Sequence, residues 1–527
     1  MKRGNIMQLF KGQILTCDRN NTVHKYLVED KGRIIHVGDQ LPRSFKHSDR
    51  TFDLEEKALL PAFGDGHIHF SNWALFNSTF DVRDARSIEE LGKIIQDYAV
   101  KNNRSKVLFG FGLSRHTLAE KRLVTRAELD HYVKNSPVYL VSYDGHCAVA
   151  NSAALGLMPS EIRGLNGFDL ESGQITYEAF YKATDHISGK FPLPAMLKAI
   201  IRGIDTLAGY GVGMVHPVEG IGYPRDLDVD LVRFMARGSQ VNFRTYFQTM
   251  DLKKIKKRKL PRVGGCFATA LDGCFGVKDA ALLKPYSDDP DNRGILFYSD
   301  EVVTEFVKEA NRAELQVQLH CVGDAAVTQA VKAIEAALED YPRRDHRHTL
   351  IHATLTPEPL LEKIAALEIG IALQPGFLTS PLEPFAYLEK ILGDRVYQLS
   401  PLRKMLDMGI RINGGSDGPV TEPNPVEGIH GACNHNLPGQ SVTIEEALRM
   451  YTSEVCRTSF DEKDRGTLEE GKLADMIIVN KNPLELSPRD LMELEVEQTF
   501  LAGEEYQPGK SITGAVFDSL KNLQKPV

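Results

Sequence analysis

The run Pro61-Ala-Phe-Gly-Asp-Gly-His-Ile-His-Phe70 is the part of the chain best suited to chemistry. Alternate side chains of a strand share a face, so Asp65, His67 and His69 point together while Ala62, Gly64 and Ile68 point away. Two imidazoles then stand within reach of one metal ion. Alone, the pair fits a solvated strand equally well; its company downstream decides. Leu315-Gln-Val-Gln-Leu-His320 alternates apolar and polar residues and ends on His320, His348-Thr-Leu-Ile-His352 ends on His352, and Arg411-Ile-Asn-Gly-Gly-Ser-Asp417 brings Arg411, Asn413 and Asp417 to one parity. Four strand ends thus carry four histidines and one aspartate. Imidazoles with a carboxylate are the donor set of a catalytic Zn²⁺ site, and Asp417 with two of the histidines would also satisfy the 2-His-1-carboxylate set of a non-haem iron centre, which needs only three of these five groups. An ion held in this way lowers the pKa of bound water towards about 7. Asp417 is then the natural general base, and His352, if not bound to the ion, a group that polarises a scissile carbonyl.

The elements that must position these groups follow from the same patterns. Strand-like runs fall at 212–216, 241–249, 266–271, 315–320, 350–352, 370–374 and 410–415, with 60–69 as an eighth and first, and helix-like stretches at 301–314 and 325–339 lie between them. Alternation of this kind predicts a parallel sheet, and a count of eight predicts a closed (β/α)₈ barrel of the TIM type, whose active site lies at the carboxyl ends of the strands. The barrel takes residues 61–70 and 201–462. Residues 71–200 interrupt it after its first strand and form an insertion over the active site, with strand-like runs at 106–111 and 138–143 and a helix-like run at 87–100. Residues 1–60 and 463–527 both read as short strands and turns, which predicts one composite β-sandwich-like domain built from the two ends. The lysine-rich run 253–259 reads as a solvated loop, and Trp73 as packing.

Composition narrows the function classes. The 527 residues are 42% hydrophobic and 25% charged, as in an ordinary globular protein. Sixty-three basic against 71 acidic residues leave a net charge of −8, which argues for neither a nucleic acid nor an anionic membrane as partner and leaves a small molecule as the expected one. No apolar run reaches the length of a membrane span, and there is no P-loop motif. The seven cysteines, at 17, 147, 266, 274, 321, 433 and 456, have no CxxC spacing. They read as reduced thiols of a cytoplasmic protein rather than as disulfides or a cysteine zinc site. A homodimer is the default oligomer.

With these residues in view the chain resembles the amidohydrolase superfamily, whose hallmarks are His-x-His after the first barrel strand, histidines after the fifth and sixth, and aspartate after the eighth. His67 and His69, His320, His352 and Asp417 fall on those positions. Further stretches are similar to its YtcJ-like subgroup, which includes N-substituted formamide deformylases. They are Tyr143-Asp-Gly-His-Cys-Ala-Val-Ala-Asn-Ser-Ala-Ala-Leu155, Ile175-Thr-Tyr-Glu-Ala179, Asp272-Gly-Cys-Phe-Gly276, His320-Cys-Val-Gly-Asp-Ala-Ala326, Gly415-Ser-Asp-Gly-Pro419 and Gly471-Lys-Leu-Ala-Asp-Met-Ile-Ile-Val479. The resemblance implies a hydrolase that uses metal-activated water on a carbon–nitrogen bond of amide or formamide type, with Zn²⁺ or another divalent ion. It also implies Asp144, His146, Glu178 and Asp272 as substrate-binding residues. The alternatives are a deaminase or esterase on the same site, and a binding or regulatory homologue without turnover. One departure stands out. Where the subgroup often has a metal-bridging carboxylated lysine, four residues before the Asp-Gly of the fourth strand, this chain has Ala268. One ion per chain is the resulting expectation, or two if Glu178 or Asp272 substitutes for the bridge.

Overall fold

The computed structural model describes residues 7–102, 106–437 and 439–527. At its centre is a parallel barrel. Its strands are Phe63–Ile68, Val212–Glu219, the pair Asn242–Phe243 and Tyr246–Phe247, Arg262–Ala270, Gln316–Cys321, Thr349–His352, Gly370–Leu373 and Ile412–Gly414. Phe63–Ile68, Val212–Glu219, Gln316–Cys321 and Thr349–His352 are buried along their whole length, as strands covered on both faces must be. Closure comes from the loop after the last strand: the Asp417 N–H donates to the His67 carbonyl at 2.8 Å, and the His69 N–H to that of Gly418 at 2.9 Å.

The third strand, expected as one run over 241–249, is in two pieces. Both keep the same register against the second strand, but Pro217 lies opposite the gap and has no N–H to give the ladder. The outer helices form for ordinary reasons. In Asp300–Arg312 the Ser299 side chain accepts from the Val302 N–H, and Val303, Phe306, Val307 and Ala310 make the buried stripe. The lysine-rich run is a helix, Leu252–Arg258, and not the expected loop. Leu252 and Ile255, three residues apart, bury one face while the lysines keep the other in water, and Asp251 caps its start.

Strands from both ends of the chain share one sheet, in the order Glu504–Glu505, Val496–Leu501, Met476–Val479, Arg50–Pro61, Gln8–Leu15, Val23–Asp30 and Arg33–Gly38. The seven strands are hydrogen-bonded into one sheet. Gly12, at a φ of 141°, sits where the register of Gln8–Leu15 shifts against both neighbours, and Phe10, Leu27, Leu59, Met476 and Phe500 form one buried cluster. The last helix, Ile512–Lys521, leaves this sheet and packs on the barrel helices Leu193–Gly209 and Leu227–Arg237.

Between the first two barrel strands a five-stranded sheet is inserted, ordered Gln174–Thr176, Cys147–Ala150, Val138–Ser142, Leu108–Leu113 and Phe80–Asp81. Side-chain alternation gives it two apolar faces. Leu108, Val138 and Leu140 meet Ile88, Leu91 and Ile95 of the helix Ile88–Lys101, while Phe109, Tyr139 and Val141 meet Phe180 and Ala183 of Tyr177–Ser188. Each buried aromatic or leucine here contributes about 2 kcal/mol of transfer free energy. The return helix Leu193–Gly209 belongs to the barrel wall, so its start precedes the expected boundary at residue 201. Among the described residues no helix is long and apolar enough to cross a membrane.

Candidate metal centre

His67 and His69 lie at the carboxyl end of the first strand, His320 in the fifth, His352 at the end of the sixth and Asp417 just past the eighth. All five are buried. The backbone is shaped around them. His352 and Asp417 have φ values of 68° and 55°, a left-handed conformation that non-glycine residues seldom adopt. Gly415 allows the first and eighth strands to touch, since a Cβ there would stand 2.7 Å from the His67 backbone nitrogen. Asp65 then clamps the junction, accepting the Ser416 N–H at 3.1 Å, the Ser416 hydroxyl at 2.5 Å and the His67 N–H at 3.1 Å.

The donor atoms converge. His67 Nε2 and His69 Nε2 are 3.0 and 3.2 Å from Asp417 Oδ1. His67, His69 and Asp417 form one set with Cys266, and His320 and His352 form a second with the same cysteine; within each set the donor atoms all lie within 4.8 Å of one another. The Cys266 sulfur is 3.3 Å from His67 Nε2 and 3.8 Å from His352 Nε2. Four ligands around a tetrahedral ion at about 2.0–2.3 Å are themselves roughly 3.3–3.8 Å apart; the separations here, 3.0–3.8 Å, are close to that range.

Hydrogen bonding separates the atoms that are committed from those that are free. His352 Nδ1 is 2.6 Å from Gln374 Oε1, and His320 Nε2 is 3.2 Å from the Gly273 carbonyl. Such partners orient ligating imidazoles and leave the opposite nitrogen for a metal. His320 Nδ1 is buried without a hydrogen-bond partner among the described residues, and Asp417 Oδ1 has only the two imidazoles of His67 and His69 beside it. Buried polar atoms are normally paired, so these fit a cation.

Protonation points the same way. Burial pushes His352 down to about 4, and pushes His69 and His320 down as well. Burial opposes the Asp417 charge, but the close His67 and His69 imidazoles outweigh it and hold that carboxyl well below the usual range. Neutral imidazoles beside an ionised carboxylate are the form that binds a divalent ion.

Part of the cluster lines two adjoining cavities, which share Asp144, His146, His320, His352, Asp417 and Val420. The insertion supplies much of the lining, with Tyr143, Asp144 and His146 from the turn after Val138–Ser142 and Tyr181 from the helix Tyr177–Ser188. Asp144 also accepts the His146 N–H at 3.0 Å, so it shapes the turn that carries it to the cavity.

Two expected substrate-binding residues lie elsewhere. Glu178 is exposed on the first turn of Tyr177–Ser188 and lines neither cavity, because burial of Ala179, Phe180 and Ala183 turns that position outward. Asp272 is wholly buried behind His320, 3.8 Å from its Nε2, and accepts the backbone N–H groups of Ala281, Val322 and Gly323 at 2.8–2.9 Å. It is a backbone anchor that lines neither cavity.

Sequence reasoning missed three residues. Cys266, read as an ordinary thiol, sits between the two donor sets. Gln374, recognised only as a strand end, supports His352. Glu383, in a loop with no periodic pattern, receives the Tyr143 hydroxyl at 3.2 Å, and burial together with the Asp144 carboxylate pushes it up to about 7.

A nearly closed parallel barrel with candidate metal ligands at its carboxyl rim defines the class. A profile of the amidohydrolase family matches residues 50–506, and the chain belongs to that family. Two curated relatives are the putative amidohydrolase YtcJ of Bacillus subtilis, 26% identical with 86% of this chain and 89% of the relative covered, and the N-substituted formamide deformylase of Arthrobacter pascens, 24% identical with 94% and 97% covered. The fold is also that of an uncharacterized metal-dependent hydrolase from Pyrococcus horikoshii, with a TM-score of 0.75, 24% identity, and 92% of this chain and 99% of that one covered.

Proposed function

We propose that the protein is a metal-dependent hydrolase that cleaves a carbon–nitrogen bond of amide or formamide type in a small molecule. In this reading His67, His69, His320, His352 and Asp417 hold Zn²⁺ or another divalent ion. The observation that carries it is the convergence of these buried donors, drawn from four strand ends, beside a cavity lined by His320, His352 and Asp417. A bound ion supplies a Lewis acid for the scissile carbonyl and acidifies the attacking water. Asp417, held ionised, takes a proton from that water and returns it to the leaving nitrogen. Asp144 and His146 orient the polar end of the substrate, while Phe275, Val322, Leu373, Phe377 and Leu388 accept an apolar substituent. The deformylase relative, matched over nearly its whole length, supports the choice of bond.

The test is a panel of N-formyl amines, N-acyl amino acids, cyclic amides and esters offered to the zinc-loaded protein. Turnover of an N-formyl or N-acyl amine that falls about 10²–10⁴-fold in Asp417→Asn, with the fold intact by circular dichroism, is the expected result. Turnover of esters alone, or activity unchanged in that variant, overturns the reading.

A further inference from the structure

We infer that Cys266 is a bridging ligand that joins two metal ions in this centre. The inference rests on the metal-dependent reading above and changes its expected stoichiometry from one ion to two. The two donor sets, His67 with His69 and Asp417, and His320 with His352, have one member in common, the sulfur of Cys266. That sulfur faces imidazole nitrogens from both sets, His67 Nε2 and His352 Nε2. Buried Cys147 and Cys321 behave differently, pointing at the carbonyls of Ala148 and Ile351.

The local backbone explains both the position and why it is not at residue 268. The fourth strand pairs regularly with the fifth up to Gly265 opposite Leu319, then slips so that Ala270 stands opposite His320. Gly264, Gly265 and Phe267 have positive φ values of 110°, 137° and 50° through this slip. A bulge re-aims side chains. Counting back from Asp272 across it therefore reaches the wrong residue, and Ala268 belongs to neither donor set.

Two divalent ions about 3.5–4 Å apart repel each other, and an anionic atom between them offsets that repulsion. A thiolate serves, because sulfur has lone pairs for two metals; on binding, the thiol proton leaves to solvent and two metal–sulfur bonds form. With Asp417 the site then carries two anionic ligands and four neutral imidazoles.

The experiment uses the full chain stripped of metal and titrated with Co²⁺. Wild type should take up two ions and develop the near-ultraviolet sulfur-to-cobalt charge-transfer absorption of a thiolate ligand. Cys266→Ser should lose that absorption and keep about one tightly bound ion. Cys274→Ser, which removes the other thiol lining the cavity, should behave as wild type. A Cys266→Ser protein that keeps the absorption and both ions overturns the bridge and leaves the hydrolase reading standing, as does a wild type that binds a single ion. A wild type that binds no ion overturns both. Should Cys266→Ser fail to fold, X-ray absorption of the zinc-loaded wild type decides: sulfur at about 2.3 Å from zinc together with a zinc–zinc vector supports the bridge, and a shell without sulfur overturns it.

Discussion

The sequence contains His-x-His twice, as His67-Ile-His69 and as His346-Arg-His348, and the structure gives the two copies opposite environments. In the second, every ring nitrogen is occupied. His346 Nδ1 accepts the His348 N–H at 2.9 Å and its Nε2 lies 3.0 Å from the Leu367 carbonyl; His348 Nδ1 accepts the Val317 N–H at 3.1 Å and its Nε2 lies 3.1 Å from Asn311 Oδ1. In the first, His67 Nδ1 and His69 Nδ1 have no partner among the described residues, and both Nε2 atoms converge on one carboxylate oxygen, Asp417 Oδ1. The pair at the amino end of the sixth strand is a finished hydrogen-bond network that holds barrel to helix. The pair at the carboxyl end of the first leaves a nitrogen of each ring unpaired among the described residues, as a cation site would. Motif and burial are alike; satisfaction of the ring nitrogens tells structure from chemistry.

This contrast can be broken. Replacing His320 by Asn should lower turnover about 100-fold or more and reduce bound metal measured by mass spectrometry. His348→Ala should leave metal content unchanged; retained metal in the first variant or lost metal in the second would erase the distinction. Chelation should destabilise the wild type by about 2.7 kcal/mol relative to protein held at a hundredfold excess of zinc over its dissociation constant, read as a fall in melting temperature. The His320→Asn variant should show a smaller fall. His348→Ala should itself cost about 2 kcal/mol in denaturant unfolding, because the Val317 N–H and the Asn311 amide lose a buried partner.

The smallest effect concerns Glu383. Its folded pKa, near 7, lies above the usual carboxylate value of about 4.3. The folded state therefore holds the proton more tightly, which favours folding fully below about pH 4 and is lost as pH rises through 7. Glu383→Gln should gain on the wild type in unfolding free energy between pH 5 and pH 8, by on the order of 1 kcal/mol after allowance for solvent screening at this half-buried group, read by denaturant unfolding. A constant difference across that range would show that the carboxyl titrates normally.

Much of the barrel was legible because its strands are short and their apolar runs are bounded by turns, and because the five donors fall at strand ends, where parity fixes their direction. What was not legible depends on local departures from regular geometry. The bulge at Gly265–Phe267 hid Cys266 behind a correct but misleading count to Ala268. Pro217 broke a strand that lies beside it in space and not in sequence. Leu252 and Ile255 made a helix of a run whose charge suggested a loop. Glu178 and Asp272 have the right chemistry, but helix phase turns one to solvent and three backbone N–H groups claim the other.

The bond from the Asp417 N–H to the His67 carbonyl, with the Asp65 clamp on Ser416, also has a kinetic meaning. Asp65 and Ser416 are 351 residues apart, so the donors meet only when the last barrel strand has docked against the first. A nascent chain that has not yet reached residue 417 cannot bring the five candidate donors together, so the site is completed only with the last barrel strand. A cation bound there would tie together segments far apart in sequence, and would slow unfolding more than it speeds folding if those contacts form late.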